Sequence, residues 1–214
     1  MEFIQDFFRT VYNVPELIRI GGLIGLILIV FAETGLMIGF FLPGDSLLVI
    51  AGTFAAKGDF DIVQLNLVLI LAAVVGDAVG YWIGHRTGQA LYSRPNSFFF
   101  RRDHLLKTHD FYEKHGGKTI VIARFMPIVR TFAPVVAGAA QMTYRQFAIY
   151  NVFGGVLWVT SMTLTGYFLG VALGPEKIAA NIHIVVAVVI FLSLLPAIIS
   201  FLRAWLKRAP AVPE

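Results

Sequence analysis

Arg124-Phe125-Met126-Pro127-Ile128-Val129-Arg130-Thr131-Phe132-Ala133-Pro134-Val135-Val136-Ala137-Gly138 is the stretch that decides how this chain is read. It lies inside an apolar run from Thr119 to Met142, long enough to span a bilayer, which takes about 20 helical residues. Yet it carries two arginines and two prolines. Charged side chains at membrane depth are rare and usually functional, and non-helical backbone is tolerated there only where protein or a water-filled cavity surrounds it. A passive anchor would not be built this way. The reading that follows is a broken, re-entrant segment lining a polar site.

Spacing supports a break. Arg124 and Arg130 are six residues apart, which on an unbroken helix puts them about 120° out of line. They converge only if the chain bends between them, and Pro127 removes a backbone donor and clashes with the preceding turn. Pro134 is a second candidate break. Upstream, Glu33 and Asp45 pose the same problem, and Pro43-Gly44 solves it in the same way.

The surrounding composition sets the class. Of 214 residues, 57% are hydrophobic and 14% charged, and the mean hydropathy of +0.77 is far above that of soluble domains. This is the profile of an all-α, polytopic membrane protein. The chain has no cysteine, which excludes a disulfide framework and a cysteine-ligated metal. The first residues, with Glu2 and Asp6, do not read as a cleavable signal peptide.

In chain order, residues 1–16 hold an amphipathic pattern: Phe3, Ile4, Phe7, Phe8, Val11 and Tyr12 on one side, Glu2, Gln5, Asp6 and Arg9 opposite. It suits a helix lying on the membrane surface or on the protein itself. From Ile20 the chain is apolar to Gly44 except for Glu33 and Thr34. The following piece, Ser46 to Ala56, is too short to cross a hydrocarbon core. A re-entrant hairpin with its tip near Asp45 explains both the short arm and the break, and a full span over residues 20–42 is the alternative. Residues 65–84 read as a transmembrane helix carrying Asn66 and Asp77, with Ala72, Gly76, Gly80, Gly84 and Gly88 along one edge at the spacing that lets helices approach closely in lipid. Asp77 reads equally as a proton or substrate carboxylate and as a structural acid with a partner in the bundle.

Residues 85–118 form the long polar segment, in which Arg86, Arg94, Arg101, Arg102, Lys107, Lys114 and Lys118 outnumber Asp103, Asp110 and Glu113. The positive-inside rule places it in the cytoplasm. Its charge reads as a solvated face touching anionic lipid, with no nucleic-acid recognition fold around it. His104 and His109 lack a third ligand, so no metal site is expected. Two further spans follow, Phe147 to Leu173 and Ile178 to Leu202, the second kinked at Pro196. The basic tail of Arg203, Lys207 and Arg208 returns to the cytoplasm, placing the C-terminus there.

An internal repeat links these pieces. Gly80-Tyr81-Trp82-Ile83-Gly84 matches Gly166-Tyr167-Phe168-Leu169-Gly170 at an offset of 86, and Ala51-Gly52 matches Ala137-Gly138 at the same offset. Phe41-Leu42-Pro43 matches Phe125-Met126-Pro127 at 84. The predicted fold is two inverted repeats, residues 20–84 and 119–173. Each is a re-entrant hairpin plus a transmembrane helix, with an N-terminal amphipathic helix and an extra C-terminal helix over 178–208. Transporters built this way place their sites near the midplane, where broken elements of both halves meet. Asp45 and Arg130 then face one another from the two tips, with Glu33 and Arg124 nearby.

At these residues the chain resembles the DedA family of bacterial inner-membrane proteins, related to the eukaryotic proteins that share the SNARE-associated or VTT domain. The resemblance covers roughly residues 30–170 and rests on Glu33, Phe41-Leu42-Pro43-Gly44-Asp45, Ala51-Gly52, Gly76-Asp77, Gly80-Tyr81, Gly84, Arg124-Phe125-Met126-Pro127, Arg130, Ala137-Gly138, Asn151 and Trp158. It implies two required acids, which fall on Glu33 and Asp45, and two required arginines, which fall on Arg124 and Arg130. It also implies transport of a lipid carrier, notably undecaprenyl phosphate, across the bacterial cytoplasmic membrane, driven by the proton motive force.

The residues suit such a task. A phosphate crossing hydrocarbon needs countercharge, and Arg124 and Arg130 each present a fork of donors to phosphate oxygens. Glu33, Asp45 and Asp77 are the candidate proton-coupling or countercharge residues. The expected partners are a lipid phosphate, membrane lipids and protons, with no nucleic acid and no cofactor; a homo-oligomer is left open. A membrane phosphatase reading lacks the Ser-Gly-His context such enzymes use, and no His lies near either tip. A proton-coupled exporter of cations or small drugs fits the acids but not the arginines, and a general phospholipid scramblase is the third alternative.

Overall fold

The computed structural model describes residues 14–36, 44–92 and 117–174, and all regular structure among them is helical. The N-terminal amphipathic pattern, Pro43, most of the basic segment and the C-terminal helix lie outside the described residues. Six helices follow in order: α1 (Val14–Gly35), α2 (Gly44–Lys57), α3 (Ile62–Tyr92), α4 (Lys118–Ala123), α5 (Pro127–Ala139) and α6 (Tyr144–Leu173). Three of them are long and apolar enough to cross a membrane: Pro15–Gly35 within α1, Ile62–Gly88 within α3, and α6.

The local chemistry explains where these helices bend and stop. α1 is kinked at Gly22, whose φ of 53° and ψ of −148° suit only a residue without Cβ. α2 and α5 end with the same cap. After α2, Gly58 takes positive φ, its N–H donates to the Ala55 carbonyl and Asp59 donates to that of Phe54. After α5, Gln141 takes positive φ, its N–H donates to the Gly138 carbonyl and Met142 donates to that of Ala137. Both closures are Schellman motifs, which satisfy the last carbonyls of the helix. α3 is initiated by Asp61, whose carboxylate accepts from the Gln64 N–H at 2.7 Å.

Met126 is extended (φ −113°, ψ 104°) and Pro127 opens α5, so the chain does break between Arg124 and Arg130. Pro134 corrects the expectation. It lies inside a continuous α5 and breaks nothing. A helix at this depth can carry a proline because neighbouring groups take up the freed carbonyl, and here the Pro134 ring seats over Gly80, where a Cβ would lie 3.5 Å from it.

Packing follows the small residues. α2 lies along α6, with Gly52 facing the Thr163 carbonyl and Gly166 facing that of Val49 so closely that a Cβ at either would collide with backbone. α5 lies along α3 in the same manner, Gly138 facing the Tyr81 carbonyl and Gly84 that of Val135. α1 reaches α3 at Gly76, beside Thr34 and Gly35. α4 follows α6, with Gly117 against the Tyr150 ring and Arg124 against Gly154 and Gly155. The predicted glycine edge of α3 is thus an interface along its length: Gly76 on α1, Gly84 and Gly88 on α5, Gly80 between the two.

Two apolar clusters result. The larger joins α1, α2, α6 and the first half of α3 around Leu26, Leu47, Leu48, Leu65 and Leu69. The smaller gathers Tyr81, Ile120, Ala137, Met142 and Phe147. Outward-facing residues such as Ile24, Leu67, Leu71, Phe153 and Phe168 stay exposed and apolar, the surface a lipid solvent favours.

Candidate functional site

Among the described residues the buried charged groups are Glu33, Asp45, Asp77, Arg124 and Arg130, and all five occur in ion pairs with one another. Asp77 stands halfway along α3 and Trp158 halfway along α6, so the charges gather where the two long helices have their midpoints.

Arg130, one turn into α5, is held by two acids from two helices. One terminal nitrogen donates to Glu33 Oε1 at the end of α1, the other to Asp45 Oδ1 in the first turn of α2 at 2.5 Å. Trp158 completes the group from α6. Its indole N–H donates to the same Asp45 oxygen at 2.9 Å, and its ring lies 4.7 Å from the guanidinium carbon in a cation–π contact. Gly44 is needed here, because Glu33 Oε2 rests where its Cβ would be.

Arg124, at the end of α4, has a different shell. Its Nη2 donates to Asp77 of α3 and to the side-chain oxygen of Asn151 of α6. The Asn151 amide nitrogen in turn donates to the Val74 carbonyl at 3.0 Å, which orients the amide and ties α6 to α3. Gly154 and Gly155 leave room for the arginine stem and head.

The structure therefore brings Arg130 and Asp45 together, with Glu33 on the same guanidinium. Arg124 pairs with Asp77 instead of Glu33 or Asp45. Asn151 and Trp158 stand out in the sequence only as members of the family motif. Their signal was available: they are seven apart on α6, two turns and nearly in line, and both carry an N–H donor. The Nε atoms of Arg124 and Arg130 and Oε2 of Glu33 are buried and have no hydrogen-bond partner among the described residues.

A separate cavity of about 530 Å³ lies near one end of α3, lined by Ala78, Tyr81, Trp82, His85, Met142, Thr143 and Tyr144. It shares no residue with the charged centre. No group of three or more metal-ligating side chains occurs among the described residues.

Helices of membrane-crossing length around buried arginine–carboxylate pairs define a polytopic helical membrane protein with a charged interior. The VTT domain matches residues 42–168. The chain is 50% identical to Protein DedA of Escherichia coli K12 over 188 residues, covering 87% of this chain and 84% of that protein. It is 42% identical to an uncharacterized membrane protein of Mycobacterium leprae, over 84% of this chain and 78% of that one. It is 39% identical to the Inner membrane protein YqjA of Escherichia coli K12, over 68% and 66% of the two chains. This chain belongs to the DedA family of VTT-domain membrane proteins. No solved structure matches it.

Proposed function

We propose that the protein is a transporter, and not an enzyme, that carries a phosphorylated lipid carrier of the undecaprenyl phosphate type across the bacterial cytoplasmic membrane with dependence on the proton motive force. The observation that carries this reading is the burial of two arginines at the middle of the long helices, each held by removable carboxylates. Guanidinium groups offer paired donors matched to phosphate oxygens. Carboxylates that hold them in the empty state can give way to a phosphate when they take up protons.

The architecture behind this reading is an inverted pair of re-entrant hairpins. α4 runs alongside α6 away from Tyr150, and α5 returns along α3 toward Gly88, which supports a hairpin that enters and leaves at one membrane face. α2, of 14 residues, is too short to cross and follows α6 in the other direction from the centre. On this topology the basic segment and the C-terminus face the cytoplasm, and the substrate site lies where the two hairpins meet.

Purified protein in liposomes, loaded with labelled polyprenyl phosphate, should move the lipid between leaflets faster under an inward proton gradient, and collapse of the gradient should slow it. A Glu33→Gln/Asp45→Asn variant with full transport would sink the reading. Preferential flux of a cationic probe over the phosphate would favour a proton-coupled cation exporter, and equal flux of ordinary phospholipids a general scramblase.

A further inference from the structure

We propose that the charged centre consists of two anion stations in series along α6, one at Arg124 and one at Arg130, and that only the Arg130 station is gated by a proton. The inference rests on the lipid-phosphate reading above and assigns separate parts within it.

Two observations separate the stations. Asn151 and Trp158 are the α6 groups that anchor them, Asn151 on Arg124 and Trp158 on Asp45 and the Arg130 guanidinium. Seven residues on one helical face place these anchors about 10 Å apart along the axis. A phosphate passing along α6 meets the two arginines in turn. Each arginine also keeps a buried Nε–H with no acceptor among the described residues, a donor that a substrate oxygen can occupy while the anchors stay in place.

Charge separates their behaviour. The side chains bonded to Arg124 are Asp77 from α3 and the neutral Asn151 from α6, with Arg130 of α5 the next charge near both Arg124 and Asp77, so within the bonded pair one positive charge meets one negative. The groups facing Arg130 are Glu33 from α1, Asp45 from α2 and the neutral Trp158 from α6, so one positive charge meets two negative. An oxyanion approaching Arg124 meets a neutral assembly. At Arg130 it meets an assembly with a surplus negative charge, which must gain a proton on Glu33 or Asp45 before a second anion is accepted. Asp77 is then a positioning residue for Arg124 and takes no part in proton coupling. Falling pH should strengthen anion binding at Arg130 and leave Arg124 unchanged.

The test uses full-length protein in detergent or nanodiscs, a short-chain isoprenyl monophosphate as probe, calorimetric affinity at several pH values, and the same lipid in a liposome transport assay. Wild type should bind more tightly as pH falls. Variants that neutralise a whole cluster avoid orphaned buried charges. Arg124→Gln/Asp77→Asn should keep pH-dependent binding, weakened by no more than about tenfold, and lose most transport. Arg130→Gln/Glu33→Gln/Asp45→Asn should keep binding whose only remaining pH response is the titration of the probe's own phosphate, near about 6. As a second line that removes no charge, Trp158→Phe should reduce the pH-dependent component and Asn151→Leu the pH-independent one. Loss of all binding in either folded neutralised variant would mean one shared site and overturn the proposal, as would loss of pH dependence in the Arg124 variant alone. A wild type that binds no isoprenyl phosphate at any pH overturns the functional reading itself, a distinct outcome.

Discussion

The crossing of α2 on α6 and the crossing of α5 on α3 are closed by counterpart glycines, yet they differ by one helical turn. Val49 and Gly52 of α2 stand 86 residues before Val135 and Gly138 of α5. Gly52 meets Thr163 and Tyr167 of α6, whose counterparts on α3 at that offset are Asp77 and Tyr81. Gly138 instead meets Tyr81 and His85, four residues further on. The displaced turn of α3, Gly76-Asp77, is left to α1 and to Arg124. On α6 the corresponding turn, Met162-Thr163, is covered by α2, and the one proton of the Thr163 hydroxyl has two acceptors at 2.8 Å, the Asn66 side-chain oxygen and the Val159 carbonyl. At the 86-residue offset, one position is therefore an acid where it meets an arginine, Asp77, and a hydroxyl where it meets an amide side chain, Thr163. Small shifts in register decide which half supplies the charge.

The largest effect should come from breaking that acid. Asp77→Ala leaves Arg124 buried without its counter-ion and should destabilise the protein by about 3–5 kcal/mol, whereas Asp77→Leu/Arg124→Met should restore most of the loss. Thr163→Ala, at the counterpart position, should cost about 0.5–1.5 kcal/mol, the net value of one hydrogen bond. Equilibrium unfolding in mixed micelles reads both. Equal losses at the two positions would show that the register shift carries no electrostatic consequence.

Next in size are the crossings themselves. Gly52→Ala and Gly138→Ala each force a methyl into a backbone carbonyl of the facing helix, and each should cost about 1–3 kcal/mol from overpacking. Since both contacts are backbone to backbone, the two losses should be alike despite the different register. A tolerated alanine at only one of them would show that one crossing can slide along its partner.

Trp158→Phe is the third test. It keeps a ring beside Arg130 but removes the indole donor to Asp45, a hydrogen bond to a charged acceptor worth about 1.5–3 kcal/mol. Asn151→Leu removes the corresponding anchor at Arg124 and leaves the Val74 carbonyl without that donor. Thermal unfolding in detergent should fall in both, and a loss confined to one would locate the more tightly built half.

How much of this was legible before the structure depends on where each partner sits. The pairing of Arg130 with Asp45 could be read, because the sequence match puts each just after a proline, Asp45 two residues past Pro43 and Arg130 three past Pro127. The edge from Gly76 to Gly88 could be read, because only close helix contact explains small residues at every fourth position. Arg124's choice of Asp77 could not. It depends on the one-turn displacement of α5 along α3, which arises from packing between segments distant in the chain and leaves no mark in local spacing. Pro134 misled for a related reason: proline argues for a break only when its surroundings leave the freed carbonyl unsatisfied, and those surroundings are tertiary. The kink at Gly22 was hidden among three glycines in one turn and a half, at positions 21, 22 and 25, any of which permits the same bend.

The smallest expected effect concerns the two tyrosines of the repeat, Tyr81 and Tyr167. The Tyr81 hydroxyl donates to the Met142 carbonyl at the end of α5, and its ring stacks on Phe147 at 4.6 Å between centroids. This bond ties the close of α5 to α3 at the displaced register. Tyr167 packs against the larger apolar cluster, with Phe168 edge-on at 5.7 Å. Tyr81→Phe keeps the stacking and removes the hydroxyl, so it should cost about 0.5–1.5 kcal/mol. Tyr167→Phe keeps its apolar packing and should cost less, within about 0.5 kcal/mol. If Tyr167→Phe proves the more damaging, the register of α5 on α3 is held by the glycine contacts alone, and the tyrosine is a bystander at a crossing that backbone approach has already set.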